Sequence, residues 1–322
     1  MARRSRKLLT HEYTTSRRRK ASRALAVGRD KEMKPFPMPM VKLSDLPEGF
    51  RKQKARGAKR TASEQVAPTR TEGKPPGTSL AASSGFEAET ELVENFDEYP
   101  FSAVGKMFFV GGRSTFVGTG WIVGRRAFAT AAHCLFDRDS NDFYDNITFI
   151  PGHDGSGAGT QFSVVESTIH SNYASRRADH LRWDIGVAIV EEDLVSQFGS
   201  IGYDATGVID DDEMVDAIGY PASSRPLAPA NNGGAIDFED HPFDGSEMWY
   251  SLGEYLGASN DQHSMANEMT GGCSGGPWLQ DETVAVGLNS FRLVPHDNRM
   301  FSPILDEDFL ELITWLIEND AF

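Results

Sequence analysis

Cysteine is scarce: the 322 residues contain two, Cys134 and Cys273. That is too few for a disulfide-built scaffold, so the fold must rest on an apolar core. Long hydrophobic runs are missing as well. No stretch reaches the roughly 20 apolar residues of a membrane span. The early basic residues are not followed by an apolar core of ~7–15 residues, so no ordinary secretory signal is read. Basic residues are also rare over most of the chain. Residues 1–76 hold 21 Lys/Arg against 7 Asp/Glu, whereas residues 77–322 hold 11 against 40. So acidic a body repels nucleic acid, and none is expected as its partner. Gly152 to Gly159 lacks Gly-Lys-Ser/Thr and is no phosphate loop. His153, His170, His180, His241, His263 and His296 show no zinc-ligand spacing. The acids Asp210 to Glu213 read as a solvated loop. No metal or organic cofactor is expected.

What is present divides the chain in three. Residues 1–60 are rich in Arg and Lys without a sustained apolar period. Thr61 to Ser84 is rich in Ala, Ser, Thr, Gly and Pro, a composition that cannot offset the entropy of ordering it. Residues 1–90 therefore read as a disordered basic tail or pro-segment with a linker. From Tyr99 onward, short β-prone runs alternate with Gly-rich turns: Val104, Met107 to Val110, Phe116 to Val123, Ala127 to Ala131, Asn146 to Ile150, Gln161 to Ile169 and Ile185 to Val190. Met214 to Ile218, Thr283 to Leu288 and Met300 to Pro303 follow. This pattern predicts an all-β sandwich or barrel. At the end, Leu305, Phe309, Leu312, Ile313 and Leu316 share one helical face, with Asp306 as N-cap.

Three segments carry chemistry. In Thr130-Ala131-Ala132-His133-Cys134, small residues before the His let a turn pack tightly and hold the imidazole at a strand end. In Trp183-Asp184-Ile185-Gly186-Val187-Ala188-Ile189-Val190, an Asp stands at the lip of a buried strand. A carboxylate there can accept the imidazole N–H and stabilise the imidazolium. Asp179 is the rival, but no strand follows it. In Thr270-Gly271-Gly272-Cys273-Ser274-Gly275-Gly276-Pro277-Trp278, glycines on both sides permit a tight turn that exposes the Ser hydroxyl. They also let backbone N–H groups face a substrate oxygen. The N–H groups of Gly272 and Ser274 are the candidate oxyanion donors.

On these motifs, in the order His…Asp…Ser, the chain resembles the chymotrypsin/trypsin-like serine peptidases from about Phe101 to Trp315. More narrowly, it is similar to their secreted microbial branch, which includes the glutamyl endopeptidases. The spacings of 51 and 90 residues suit two consecutive barrels. The strand-to-helix setting of the α/β-hydrolase nucleophile elbow is absent. The resemblance implies two six-stranded antiparallel β-barrels, residues 91–200 carrying His133 and Asp184 and residues 201–322 carrying Ser274 and a C-terminal helix. It implies a secreted serine endopeptidase with a protein or peptide substrate, and a monomer is expected. It places Ser290 beside the catalytic Asp at the substrate cleft. Glu268, six residues before Ser274, stands where trypsin-like enzymes carry the acidic floor of the specificity pocket, which implies preference for Lys or Arg. Glutamyl endopeptidases carry a His near the position of Asn289, and this chain does not, so Glu preference is not expected; Glu268, Asn289 and Ser290 are the substrate-pocket candidates. The partner that Cys134 has in trypsin-like enzymes is missing from Gly118-Thr119-Gly120, so Cys134 and Cys273 are expected as buried thiols. A scaffold protein that keeps the fold without the chemistry is the alternative reading.

Overall fold

The computed structural model describes residues 8–13, 34–35, 40–42, 86, 88–112, 114–155, 159–175, 177–210, 214–222, 242–294 and 298–322. The linker at 61–84, Asp211 to Glu213, His241 and His296 lie outside the described residues.

The first sheet contains β1 (Val104–Gly111), β2 (Ser114–Gly124), β3 (Ala127–Thr130), β4 (Asp145–Pro151), β5 (Phe162–Ser163), β6 (Glu166–His170) and β7 (Gly186–Ile189). They lie in the order β6-β7-β3-β2-β1-β4-β5, with antiparallel neighbours. The two ends of this sheet meet in one run of chain. Val164 N–H donates to Ile147 O at 3.0 Å and Val165 N–H to Ile189 O at 2.7 Å, so residues 162–170 bond to both ends and close a barrel. Counting that bent run once, the barrel has six strands. Apolar residues fill it, among them Trp121 and the stacked pair Phe128 and Phe149, whose ring centroids lie 4.2 Å apart.

The second sheet contains β8 (Met214–Gly219), β9 (Trp249–Ala258), β10 (Gln262–Ala266), β11 (Pro277–Gln280), β12 (Val284–Leu288) and β13 (Arg299–Pro303), in the order β12-β11-β8-β9-β10-β13. Leu288 N–H donates to Ser302 Oγ, Ser290 N–H donates to Phe301 O, and Phe291 pairs with Phe301. This run likewise bonds to both ends. Its core is a separate cluster that includes Trp278, Met265, Phe243 and Trp249. The sequence pattern did not mark β9, β10 or β11. In β9, Gly253, Gly257 and Glu254 interrupt the apolar alternation, although Trp249, Ser251, Gly253 and Tyr255 are buried in turn.

The all-β fold with a C-terminal helix is as the resemblance implied. Glu307–Glu318 is that helix, and Asp306 Oδ1 accepts Asp308 N–H at 2.9 Å as its cap. Phe309, Leu312, Ile313 and Leu316 pack into the core of the first barrel, and each buried side chain contributes about 1.5–3 kcal/mol. None of the described helices is long and apolar enough to cross a membrane.

Short strands outside the barrels include pieces of the region read as tail. Leu8–Glu12 pairs with β6, Lys34–Pro35 with β2, and Ala88–Leu92 with β9. The first has a local reason. Tyr13 beside it is buried, its hydroxyl 3.1 Å from Ser167 Oγ, while His11 stacks on Phe143. A run of six residues is too short to stand out by composition within a basic segment, yet an open strand edge suffices to hold it.

Candidate active site

The register of β3 against β7 assembles the first half of the site. Gly186 lies opposite Thr130. Going on from Thr130 and back from Gly186 leads past the same end of the two strands. There the short turn Ala132–Cys134 presents His133, and Asp184 follows the turn His180–Trp183. Both side chains are buried. Asp184 Oδ2 is 2.8 Å from His133 Nδ1, and Asp184 Oδ1 accepts the His133 backbone N–H at 2.9 Å. A carboxylate can only accept, so the Nδ1 proton is fixed and the lone pair of the neutral ring is on Nε2. Burial opposes a charge on His133, but the Asp184 carboxylate outweighs it, and the imidazole is pushed up to about 10.

The second barrel supplies two further groups. Ser290 Oγ donates to Asp184 Oδ2 at 2.5 Å, tying the segment that follows β12 to the first barrel. The segment Thr270–Gly276 enters between the barrels and packs on β2 and β3. Thr119 N–H donates to Ser274 O at 2.8 Å, and Cys134 Sγ lies 3.7 Å from the same oxygen. Gly275 has φ +88°, and a Cβ there would stand 2.1 Å from Thr130 Oγ1, so the close approach of the two barrels requires glycine. The structure thus brings the Ser274 backbone against the residues that lead into His133. The Ser274 hydroxyl is buried and makes no hydrogen bond among the described residues.

The peptide planes around Ser274 are held by hydrogen bonds to their carbonyls. Ala222 N–H takes Gly271 O at 2.7 Å, and Gly276 N–H takes Cys273 O at 3.0 Å. A trans peptide points its N–H away from its carbonyl. Fixing these two carbonyls therefore fixes the direction of the N–H groups of Gly272 and Ser274, each antiparallel to its carbonyl.

The remaining sequence candidates fall in different roles. Asn289 is fully buried and its amide is occupied. It donates to Ile218 O at 3.2 Å and Cys273 O at 3.3 Å, and accepts from Trp278 Nε1 and Asn267 Nδ2. It holds the Ser274 loop. Glu268 is half-buried, on the segment leading to that loop. Cys134 and Cys273 are both free and buried, and burial pushes the Cys273 thiol up to about 12.

Two residues of the site were not found from the sequence. Thr119 Oγ1 donates to Gly272 O at 3.0 Å and accepts Tyr220 N–H at 3.1 Å. The only signal was its place between two glycines where a Cys was missing. Arg292 is fully buried, and its guanidinium donates to Asn267 O at 2.7 Å and Met269 O at 2.6 Å.

One group of metal-ligand types stands apart from these residues among the described ones: His170, Asp308 and Glu311. His170 Nε2 is 3.6 Å from Asp308 Oδ1, and His170 Nδ1 accepts Asn172 N–H at 3.2 Å. That acceptor role leaves the ring proton on Nε2, facing the carboxylates, whereas a metal would need this nitrogen bare. The group suits a proton better than a metal.

No family model matches the chain. It is 26% identical over 188 residues to a glutamyl endopeptidase of Bacillus licheniformis, and the match covers 56% of each sequence, so the chain spans about half the length of this curated relative. Among solved structures it is similar to the protease Anisep from Arthrobacter nicotinovorans, with TM-score 0.53, 21% identity and coverage of 67% of this chain and 95% of that one. It is also similar to a Glu endopeptidase, with TM-score 0.57, 16% identity and coverage of 70% and 95%. By its architecture and these likenesses, the chain has the fold of the chymotrypsin/trypsin-like serine peptidases.

Proposed function

We propose that the chain is a serine endopeptidase with Ser274 as nucleophile, His133 as general base and acid, and Asp184 as the carboxylate that orients His133. The observation that carries this reading is the buried Asp184–His133 pair, its Nδ1 proton fixed, beside the loop whose hydroxyl is uncommitted. Ser274 Oγ attacks the scissile carbonyl while its proton passes to His133 Nε2. The tetrahedral oxyanion is met by the N–H groups of Gly272 and Ser274. The C–N bond breaks as His133 protonates the leaving amine, leaving an acyl ester on Ser274. Water then hydrolyses that ester by the same proton path.

The pH dependence follows from the raised imidazole. Only neutral His133 can accept the Ser274 proton, so the acid limb of kcat/KM lies above the ordinary histidine value of about 6.5. Stability carries the same sign. The pair's contribution is complete below about 6.5 and is lost as pH rises toward the folded value. A pH–rate profile on a peptide substrate checks this, and a midpoint at or below 6.5 would contradict it.

For the residue before the cleaved bond, we propose an acidic side chain. The similarity to a glutamyl endopeptidase supports this, as does the positive charge that Arg292 brings into the wall flanking Ser274. Glu268 is the opposing feature and supports Lys or Arg. Cleavage of a peptide library, read by mass spectrometry, separates the two. Cuts after Glu or Asp are expected, at least tenfold above those after Lys or Arg; the reverse ratio restores Glu268 as the pocket floor.

A further inference from the structure

The basic N-terminal region has no part in the chemistry above, yet two short pieces of it pair with the walls of the site. Lys34–Pro35 runs parallel to Phe116 and Val117 of β2. Met40–Lys42 runs parallel to Arg292–Val294, with Met40 opposite Arg292 and Lys42 opposite Val294. Both partners adjoin the candidate site. Val117 is two residues from Thr119, whose N–H holds Ser274 O. Arg292 is two residues from Ser290, whose hydroxyl holds Asp184. Four residues separate the two pairings, and five peptide steps span at most about 18 Å. Both pairings therefore belong to one short stretch, bounded by the two walls that flank Ser274.

The edge of Arg292–Val294 is where an extended peptide would find backbone partners. Ser290 and Phe291 already bond to Phe301, so the following residues offer their other side. A free strand edge that begins beside the reacting groups is a template for an incoming chain. Here Met40–Lys42 has taken it. The sequence of the stretch suits an occupant that resists cutting. Pro35, Pro37 and Pro39 alternate with other residues. Each fixes φ, lacks an N–H and favours an extended predecessor, and each peptide bond entering a proline has its nitrogen locked in a ring. Charge helps as well, since residues 1–76 carry 21 Lys/Arg against 7 Asp/Glu, whereas residues 77–322 carry 11 against 40.

We propose that Met40–Lys42 is an internal blocking strand, which denies the Arg292–Val294 edge to extended peptides until it is released. This rests on the serine endopeptidase reading. In a parallel ladder, alternate residues make the bonds, so Val41→Pro with Lys42→Pro removes an N–H whichever residue carries it.

The test compares the full chain with this double variant on an extended chromogenic octapeptide, rates being normalised to Ser274 sites titrated with a fluorophosphonate. The variant is expected to show at least tenfold higher kcat/KM. A synthetic peptide of residues 34–46 is expected to inhibit the variant competitively. Equal kcat/KM per titrated site, with no inhibition by that peptide, would overturn the blocking strand while leaving the peptidase standing. Failure of both proteins to label at Ser274 would instead overturn the peptidase reading, and the blocking strand with it.

Discussion

Ser274→Ala lowers kcat/KM by about 10^6-fold, and His133→Ala added to it costs almost nothing more. In the proposed mechanism the two side chains act in a single proton transfer, so losing either removes the whole step. The residual activity comes from the backbone donors and from binding, about 10^3–10^4-fold over water. The two single variants differ in stability. The Ser274 hydroxyl has no hydrogen-bond partner among the described residues, so its removal orphans nothing and Tm stays where it was. His133→Ala takes a donor from the buried Asp184 carboxylate and lowers Tm. Kinetics of the two single variants and the double variant check the first claim, and thermal melts the second. Losses that multiply in the double variant would mean that Ser274 and His133 act separately.

Asp184→Asn lowers kcat by about 10^4-fold with little change in KM. The carboxylate has three donors: the His133 backbone N–H, the His133 ring N–H and the Ser290 hydroxyl. An amide is nearly isosteric, so the fold survives, but it offers one accepting oxygen where the carboxylate offers two. Whenever its NH2 faces His133 Nδ1, the ring must accept there and carry its proton on Nε2. That tautomer cannot take the Ser274 proton. The loss amounts to about 5.5 kcal/mol of transition-state stabilisation. The variant also loses the charge that raises His133, so its remaining activity rises with pH at a lower midpoint than in the parent. A parent-like pH profile in Asp184→Asn would show that another group sets the imidazole.

The three groups proposed to react were singled out in the sequence because each sits in a local pattern with a physical purpose. Small residues precede His133, a buried strand follows Asp184, and glycines surround Ser274. The helix at Glu307–Glu318 was visible for a similar reason, since its apolar face and its Asp306 cap lie within one short window. The supports of the site were not visible. Thr119 reaches Gly272 across 153 residues, and Ser290 reaches Asp184 across 106. A hydrogen bond at such separation leaves no period and no composition bias, so only the resemblance pointed to Ser290, and only the missing Cys marked the place of Thr119. Asn289 was a pocket candidate only through the resemblance, and its four amide partners are all internal. Arg292 escaped notice because a charged residue in a strand ordinarily reads as a solvated face. Burial of a guanidinium becomes intelligible only with the carbonyls of Asn267 and Met269 in view. The N-terminal strands were hidden by their basic context, since an edge that waits elsewhere in the fold decides whether so short a run is ordered.

The most direct measurement of the proposed relay is the rate at which a fluorophosphonate modifies the chain, with the modified residue mapped by mass spectrometry. One adduct is expected, on Ser274, forming orders of magnitude faster in the parent than in His133→Ala. An adduct on another residue, or the same rate without the imidazole, would contradict it.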